Sequence, residues 1–261
     1  MKKATKTALI IAASLVLAGI IIFAAGMTAA DWDFQILSNR EYTTVTHCVS
    51  VGFTDIIINS SNTDITFAVS DDGGCRVVCY EYEKRRHTVS VENGALLITE
   101  QKNLELRDHI GVDFETSNIT VYLPKGDYGM LNISNKTGDI SIPADFHFKN
   151  ADISVSTGDV NYNACGENIK IKASTGDITL AGVNANTITV SASTGDVKLE
   201  KCDAATLDIK TNTGDITGTI CTEKVFVYKT STGKVSLPQT QSGGEFRLTT
   251  STGDIKIEIA G

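Results

Sequence analysis

The chain has 261 residues, with 23 Lys and Arg against 31 Asp and Glu, a net charge of −8, and 41% hydrophobic residues. That is the balance of a folded chain rather than a disordered one. Its acidity opposes nucleic-acid binding, which needs clustered Lys and Arg. Three prolines, 22 glycines and many Thr, Ile and Val favour strands and tight turns over helices.

Lys2, Lys3 and Lys6 precede a stretch from Ala8 to Ala30 that carries no charge, and Asp31 and Asp33 follow it. At 1.5 Å per residue such a helix covers roughly 34 Å, enough for a hydrocarbon core of about 30 Å. The charges predict a cytoplasmic tail over residues 1–7, a single-pass transmembrane anchor over 8–30, and everything after it outside the cell membrane, with Trp32 at the outer interface. Thr28-Ala29-Ala30 offers a peptidase small residues. A signal peptide's apolar region usually runs only about 7–15 residues, however, so a retained anchor is preferred to cleavage. No Cys follows the span closely, which argues against a lipoprotein.

Residues 31–130 read as an irregular β region with degenerate coils. Ile56 and Ile58 precede Thr63, and Ile65 and Phe67 follow it, at strand alternation. Cys75 and Cys79 share a strand face and, with His87, make a poor metal site. Lys84-Arg85-Arg86-His87, the one basic cluster, is too short for a polyanion site and reads as a solvated turn. Val89, Asn93-Gly94, Leu96 and Ile98 carry a hairpin signal, 103–114 reads as a charged loop, and Ile119 to Leu123 as a strand before Pro124.

Residues 131–261 repeat. Gly138, Gly158, Gly176, Gly195, Gly214, Gly233 and Gly253 are spaced by 20, 18, 19, 19, 19 and 20 residues, each after a Thr. Each is followed by an acid, Asp139, Asp159, Asp177, Asp196, Asp215 and Asp254, except that Lys234 follows Gly233. Two residues after the glycine stand Ile140, Val160, Ile178, Val197, Ile216, Val235 and Ile255; five before it stand Ile133, Ile153, Ile171, Val190, Ile209, Tyr228 and Leu248. Period-two columns in register with a 19-residue repeat predict an all-β, single-stranded β-solenoid of about nineteen-residue coils, preceded by one N-terminal transmembrane helix. One coil cannot bury enough to order itself, so neighbours must stack. The glycine supplies the positive φ of a sharp corner. The Asp reads as a turn residue accepting backbone N–H bonds within the corner rather than as a rung of a cation ladder, since Lys234 would repel an ion.

Cys165, Cys202 and Cys221 all lie seven residues after a repeat glycine, where Val183 stands in another coil, and so read as small buried hydrophobes. Cys202 and Cys221, on consecutive coils, are the possible disulfide. His47, His87, His109 and His147 are scattered, and no nucleophile elbow, zinc-protease helix or phosphate loop occurs. The expectation is therefore no enzyme, no cofactor and no metal. A β-helix polysaccharide-degrading enzyme is the weaker alternative, because repeated positions build single catalytic centres poorly.

The Ser-Thr-Gly-Asp-Ile repeats, the apolar anchor and Asp31-Trp32-Asp33-Phe34 resemble the bacterial domain-of-unknown-function 4097 family. So do Cys75-Arg76-Val77-Val78-Cys79-Tyr80, Ile119 to Pro124 and Thr252 to Ile259. The resemblance implies a β-repeat domain at the bacterial cell surface with an inferred adhesin role, sometimes tied to envelope-stress systems, and brings no catalytic residues. The expected partners are the membrane, through the N-terminal helix, and an envelope protein or glycan, with no nucleic acid. The alternative is a structural or regulatory envelope protein. It would associate with copies of itself through the C-terminal coil, where Lys256 and Glu258 face outward on a last strand expected to form an open edge.

Overall fold

A computed structural model describes residues 3–32, 41–102 and 116–260. The stretch 103–114 read as a loop, His109, Lys2, Asp33, Phe34 and Gly261 lie outside the described residues. The chain divides into two compact units, 1–41 with 104–115, and 42–103 with 116–261. In the first, α1 (Lys3–Ala29) contains a segment from Thr5 to Ala29 with mean hydropathy 2.8, long and apolar enough to cross a membrane.

The second unit is a β-solenoid. In chain order its strands are β1 (Tyr42–Val49), β2 (Asp55–Asn59), β3 (Thr63–Val69), β4 (Cys75–Tyr82), β5 (Arg85–Glu92), β6 (Ala95–Lys102) and β7 (Ser117–Leu123). Then come β8 (Gly126–Thr137), β9 (Ile140–Ile142), β10 (Phe146–Thr157), β11 (Val160–Tyr162), β12 (Cys165–Thr175), β13 (Ile178–Ala181), β14 (Asn184–Thr194) and β15 (Val197–Lys210). The last are β16 (Ile216–Ile220), β17 (Lys224–Lys229), β18 (Val235–Ser236), β19 (Gly244–Thr249) and β20 (Ile255–Ile259).

Each coil has one strand before the Thr-Gly corner and one after it, and both pair in parallel with their equivalents above and below. Ile133, for instance, is opposite Ile153, which is opposite Ile171, which is opposite Val190. The columns seen in the sequence are the core: Ile140, Val160, Ile178, Val197, Ile216 and Ile255 are each 0% exposed. Stacked in register, these β-branched side chains pack layer on layer through the interior, and alternation between Ile and Val alone keeps the layers alike in shape.

The coils do not stack in the order in which the chain writes them. Through the middle they do, from β8–β9 to the coil of β15 and β16. Beyond it, β15 pairs with β19 and β16 with β20, while β17 and β18 pair with the far sides of β19 and β20. The Gly253 coil is therefore inserted between the Gly214 and Gly233 coils. The other end repeats the device: β2 and β3 lie between β8–β9 and β6–β7. The expected open edge at the last repeat is thus corrected. That repeat is second from the end, and the Gly233 coil is outermost.

Antiparallel strands close the β6–β7 end. β5 pairs with β6 through a hairpin whose turn, Asn93-Gly94, has φ of 51° and 79°, as a type I′ turn requires; β4 pairs with β7, and β1 with β4. The basic cluster is not a solvated turn throughout. Arg85, Arg86 and His87 belong to β5, and His87 is buried.

Candidate functional site

The corner motif is built from bonds between coils. From Gly138 to Gly214, and again at Gly253, the corner glycine N–H donates to the Thr carbonyl of the next level, as Gly176 does to Thr194 at 3.0 Å and Gly195 to Thr213 at 2.9 Å. The carboxylates act likewise. The Asp196 N–H donates to Asp177 Oδ1 at 2.8 Å, and the same bond runs from Asp139 to Asp64, Asp159 to Asp139, Asp177 to Asp159, Asp215 to Asp196 and Asp254 to Asp215. The Asp therefore does not close its own turn, as the sequence suggested, but caps the backbone of its neighbour. Lys234 donates its N–H to Asp254 Oδ1 at 2.7 Å and ends the series. Among the described residues no coil lies beyond it, so no side-chain acceptor is needed there. Thr63 and Asp64 begin the series, and this first corner has no glycine.

A carboxylate that only accepts a backbone bond can be replaced by an amide. Asp177→Asn is expected to cost less than about 0.5 kcal/mol, and Asp177→Ala about 1 kcal/mol because the Asp196 N–H turns to water. Urea unfolding with and without a chelator checks this. A cation ladder would instead make Asn as damaging as Ala and make stability chelator-sensitive.

The proposed disulfide does not form: Cys202 and Cys221 are both free. The register shifts between Leu199 and Cys202, with Lys201 at φ 52°, so that Cys202 stands opposite Ile220. Ile220, not Cys221, takes the inward place; Cys202 is fully buried, and Cys221 is exposed. Cys202 Sγ lies 3.3 Å from the Leu180 carbonyl, and burial pushes its thiol pKa up. Cys165 is also displaced from the core position, which Ala164 occupies.

The Gly233 coil presents what the other coils hide. Tyr228 is 56% exposed and Val235 36%, whereas their neighbours in the stack, Leu248 and Ile255, are at 0%. Phe226 is half-buried against Phe246, with ring centroids 5.7 Å apart. Outward on the same strand, Val225 and Val227 are exposed. Among the described residues, β19 is the one strand paired with β17, leaving its other edge open, flanked by exposed Lys229 and Lys234. At the start of β17, Lys224 is buried and its Nζ lies 2.6 Å from Asp203 Oδ1, with Thr222 Oγ1 as a second acceptor.

At the opposite end the cap buries titratable groups. Val77, Cys79 and Glu81 alternate on the inward face of β4, and His87 reaches the same interior from β5. Glu81 Oε2 accepts from the His87 backbone N–H at 2.7 Å and lies 2.9 Å from His87 Nδ1; Ser60 Oγ lies 3.2 Å from Nε2. Burial first, and the Glu81 charge second, push the Cys79 thiol up to about 12. Glu81 was missed in the sequence reading, although period-two alternation from Cys79 marks it as inward. Cys75 is not part of this group. His47 is half-buried on β1, and His147 makes an exposed pair with Asp127 at 3.1 Å.

Parallel coils bonded corner to corner through a repeated Gly-Asp pair define a β-solenoid repeat protein. The family model described as Toastrack DUF4097 matches residues 53–261, and the chain belongs to that family. In fold it is similar to a candidate adhesin from Bacteroides fragilis, at 16% identity and TM-score 0.50, with 85% of this chain and 99% of that one covered. Two further structures are similar at lower scores. One is a candidate adhesin from Parabacteroides distasonis, 14% identical over 84% of this chain and 98% of that one, TM-score 0.43. The other is a candidate cell adhesion protein from Clostridium sporogenes, 10% identical over 84% and 100%, TM-score 0.39. No curated protein matches the chain.

Proposed function

We propose that this chain is a non-catalytic interaction module of the bacterial cell surface, an adhesin in the broad sense. α1 holds it in the membrane with residues 1–7 in the cytoplasm, and the solenoid engages a protein partner in the envelope or on another cell by strand addition at the Gly233 coil. The observation that carries this reading is the open edge of β17 with its exposed Val225, Val227 and Tyr228. An unpaired edge strand offers its N–H and C=O groups to an extended segment, and alternate side chains give selectivity. Lys229 and Lys234 favour an acidic segment. They also oppose pairing of this edge with a second copy of itself, so self-assembly through this end is the lesser reading.

The full-length chain, displayed on cells, is expected to retain its envelope or host target. Tyr228→Pro, which removes an N–H from the open edge, combined with Val227→Lys, is expected to weaken retention at least about tenfold while the unfolding midpoint moves little. Retention unchanged by these substitutions, or release of products from a wall or plant polysaccharide, would overturn the reading. Sedimentation of the wild-type chain that shows dimers abolished by the same pair would favour self-assembly instead.

A further inference from the structure

We propose that Cys79, Glu81 and His87 form a site for one borderline-soft divalent metal ion of the zinc class, buried in the cap at the β6–β7 end of the solenoid. The three residues offer a sulfur, a carboxylate oxygen and an imidazole nitrogen, and these donor atoms all lie within 4.8 Å of one another. All three residues are buried. Such a donor set suits zinc, with bonds of about 2.0–2.3 Å, and excludes the hard cations that want oxygen alone. Donors around a tetrahedral ion of that size sit roughly 3.3–3.6 Å apart. Glu81 Oε2 and His87 Nδ1, now 2.9 Å apart, need only a few tenths of an ångström of opening.

The surroundings supply what a metal site needs. Ser60 Oγ holds the other ring nitrogen at 3.2 Å and fixes the imidazole plane, the task of an outer-shell partner, and Ser60 is in turn bonded to Thr63 Oγ1 at 2.8 Å. The strand pairing explains the convergence. Cys79 and Glu81 are two apart on one strand and therefore share a face, while β5 turns back after β4 to bring His87 over it. A carboxylate inside an apolar cap is costly unless well compensated, and an ion held at this point would tie β4 and β5 together where no further coil among the described residues supports them. The ion would be structural. Its effect is to hold shut the end of the rod opposite the open β17 edge, which makes the proposal independent of any partner at that edge.

Cobalt(II) added alone to the full-length chain in detergent, both native and during refolding, tests this. One equivalent is expected to bind, with a thiolate-to-cobalt charge-transfer band in the near ultraviolet that zinc abolishes by displacement. At a metal concentration one hundred times the dissociation constant, the folding equilibrium is expected to shift roughly a hundredfold toward the native state. Cys79→Ser should remove the band, His87→Gln should weaken binding at least about tenfold, and Cys75→Ser should change neither. Absence of the band in the wild-type chain under both loading conditions overturns the proposal, whatever the variants do. So does a band that survives Cys79→Ser, since the cobalt is then held by other thiols.

Discussion

Gly195→Ala is expected to destabilise the solenoid by roughly 4 kcal/mol or more, enough to unfold much of it at ambient temperature. Gly195 has φ 139°, and a Cβ there would stand 2.0 Å from the Gly176 carbonyl oxygen of the neighbouring coil. Neither atom can yield. The carbonyl belongs to a corner bonded on both sides, and moving it breaks the Gly176 and Gly195 N–H bonds together. Since each coil is stable only through its neighbours, the damage spreads along the stack instead of staying local. Gly182→Ala is the control. That glycine also has a positive φ, 67°, but no atom lies within 4 Å of its added Cβ, so its cost should be about 1 kcal/mol of backbone strain. Urea unfolding followed by circular dichroism distinguishes the two. Similar midpoints would mean that corner glycines serve conformational freedom alone and not close approach.

Asp203→Ala is expected to cost about 3 kcal/mol, more than Lys224→Met, with the double variant recovering most of the loss. The asymmetry follows from burial. The Lys224 side chain is only 4% exposed, so removing the carboxylate strands an ammonium group, whereas the Asp203 side chain, at 22%, still reaches water when the lysine is gone. The same pair sets a pH dependence. Burial raises the Asp203 pKa, but hydrogen bonds from Lys224 and Thr222 outweigh it and hold the carboxyl below its ordinary value. A lowered folded-state pKa gives stability that is complete above the unfolded value of about 3.9 and lost as the pH falls through the lower folded value. The gap between wild type and Asp203→Asn should therefore be full at neutral pH and close in strong acid. Thermal midpoints at several pH values measure it, and a gap that persisted unchanged below pH 3 would contradict the assignment.

The coils, their inward columns and their corners were legible because strand alternation and a fixed repeat leave one arrangement that turns the Ile, Val and Leu of the columns toward a common interior. The order of the coils was not legible. Tyr228 and Val235 continue the columns as regularly as Leu248 and Ile255 do, and a side chain's face says nothing about which coil lies above it. The signals were the exceptions to the repeat. Thr63 in place of glycine marks where the corner stack begins, and Lys234 in place of aspartate marks where it stops. The cysteine count held for Cys202, buried as Val183 is, and failed for Cys165 and Cys221: the positive φ of Gly182 and Lys201 turns the seventh residue after the glycine inward in two coils, whereas the sixth, Ala164 or Ile220, fills the core in the other two. In the cap, Cys79 and His87 were grouped with Cys75 as a poor metal site and Glu81 was overlooked, because the antiparallel pairing that sets His87 against Glu81 has no echo in the nineteen-residue period.

The insertion of one coil between two others at each end also sets an order in time. Middle coils find their neighbours within the next or previous twenty residues, so they can close as the chain emerges. The Gly233 coil has no seat until β19 and β20 have followed it. The β2–β3 coil must in the same way wait for β6 to β9 on both sides. Ordering therefore starts in the interior of the sequence and reaches the two ends last. During that delay the apolar strand at Lys224–Lys229 is bare on both edges, which makes the final repeat the chain's own shield against premature pairing.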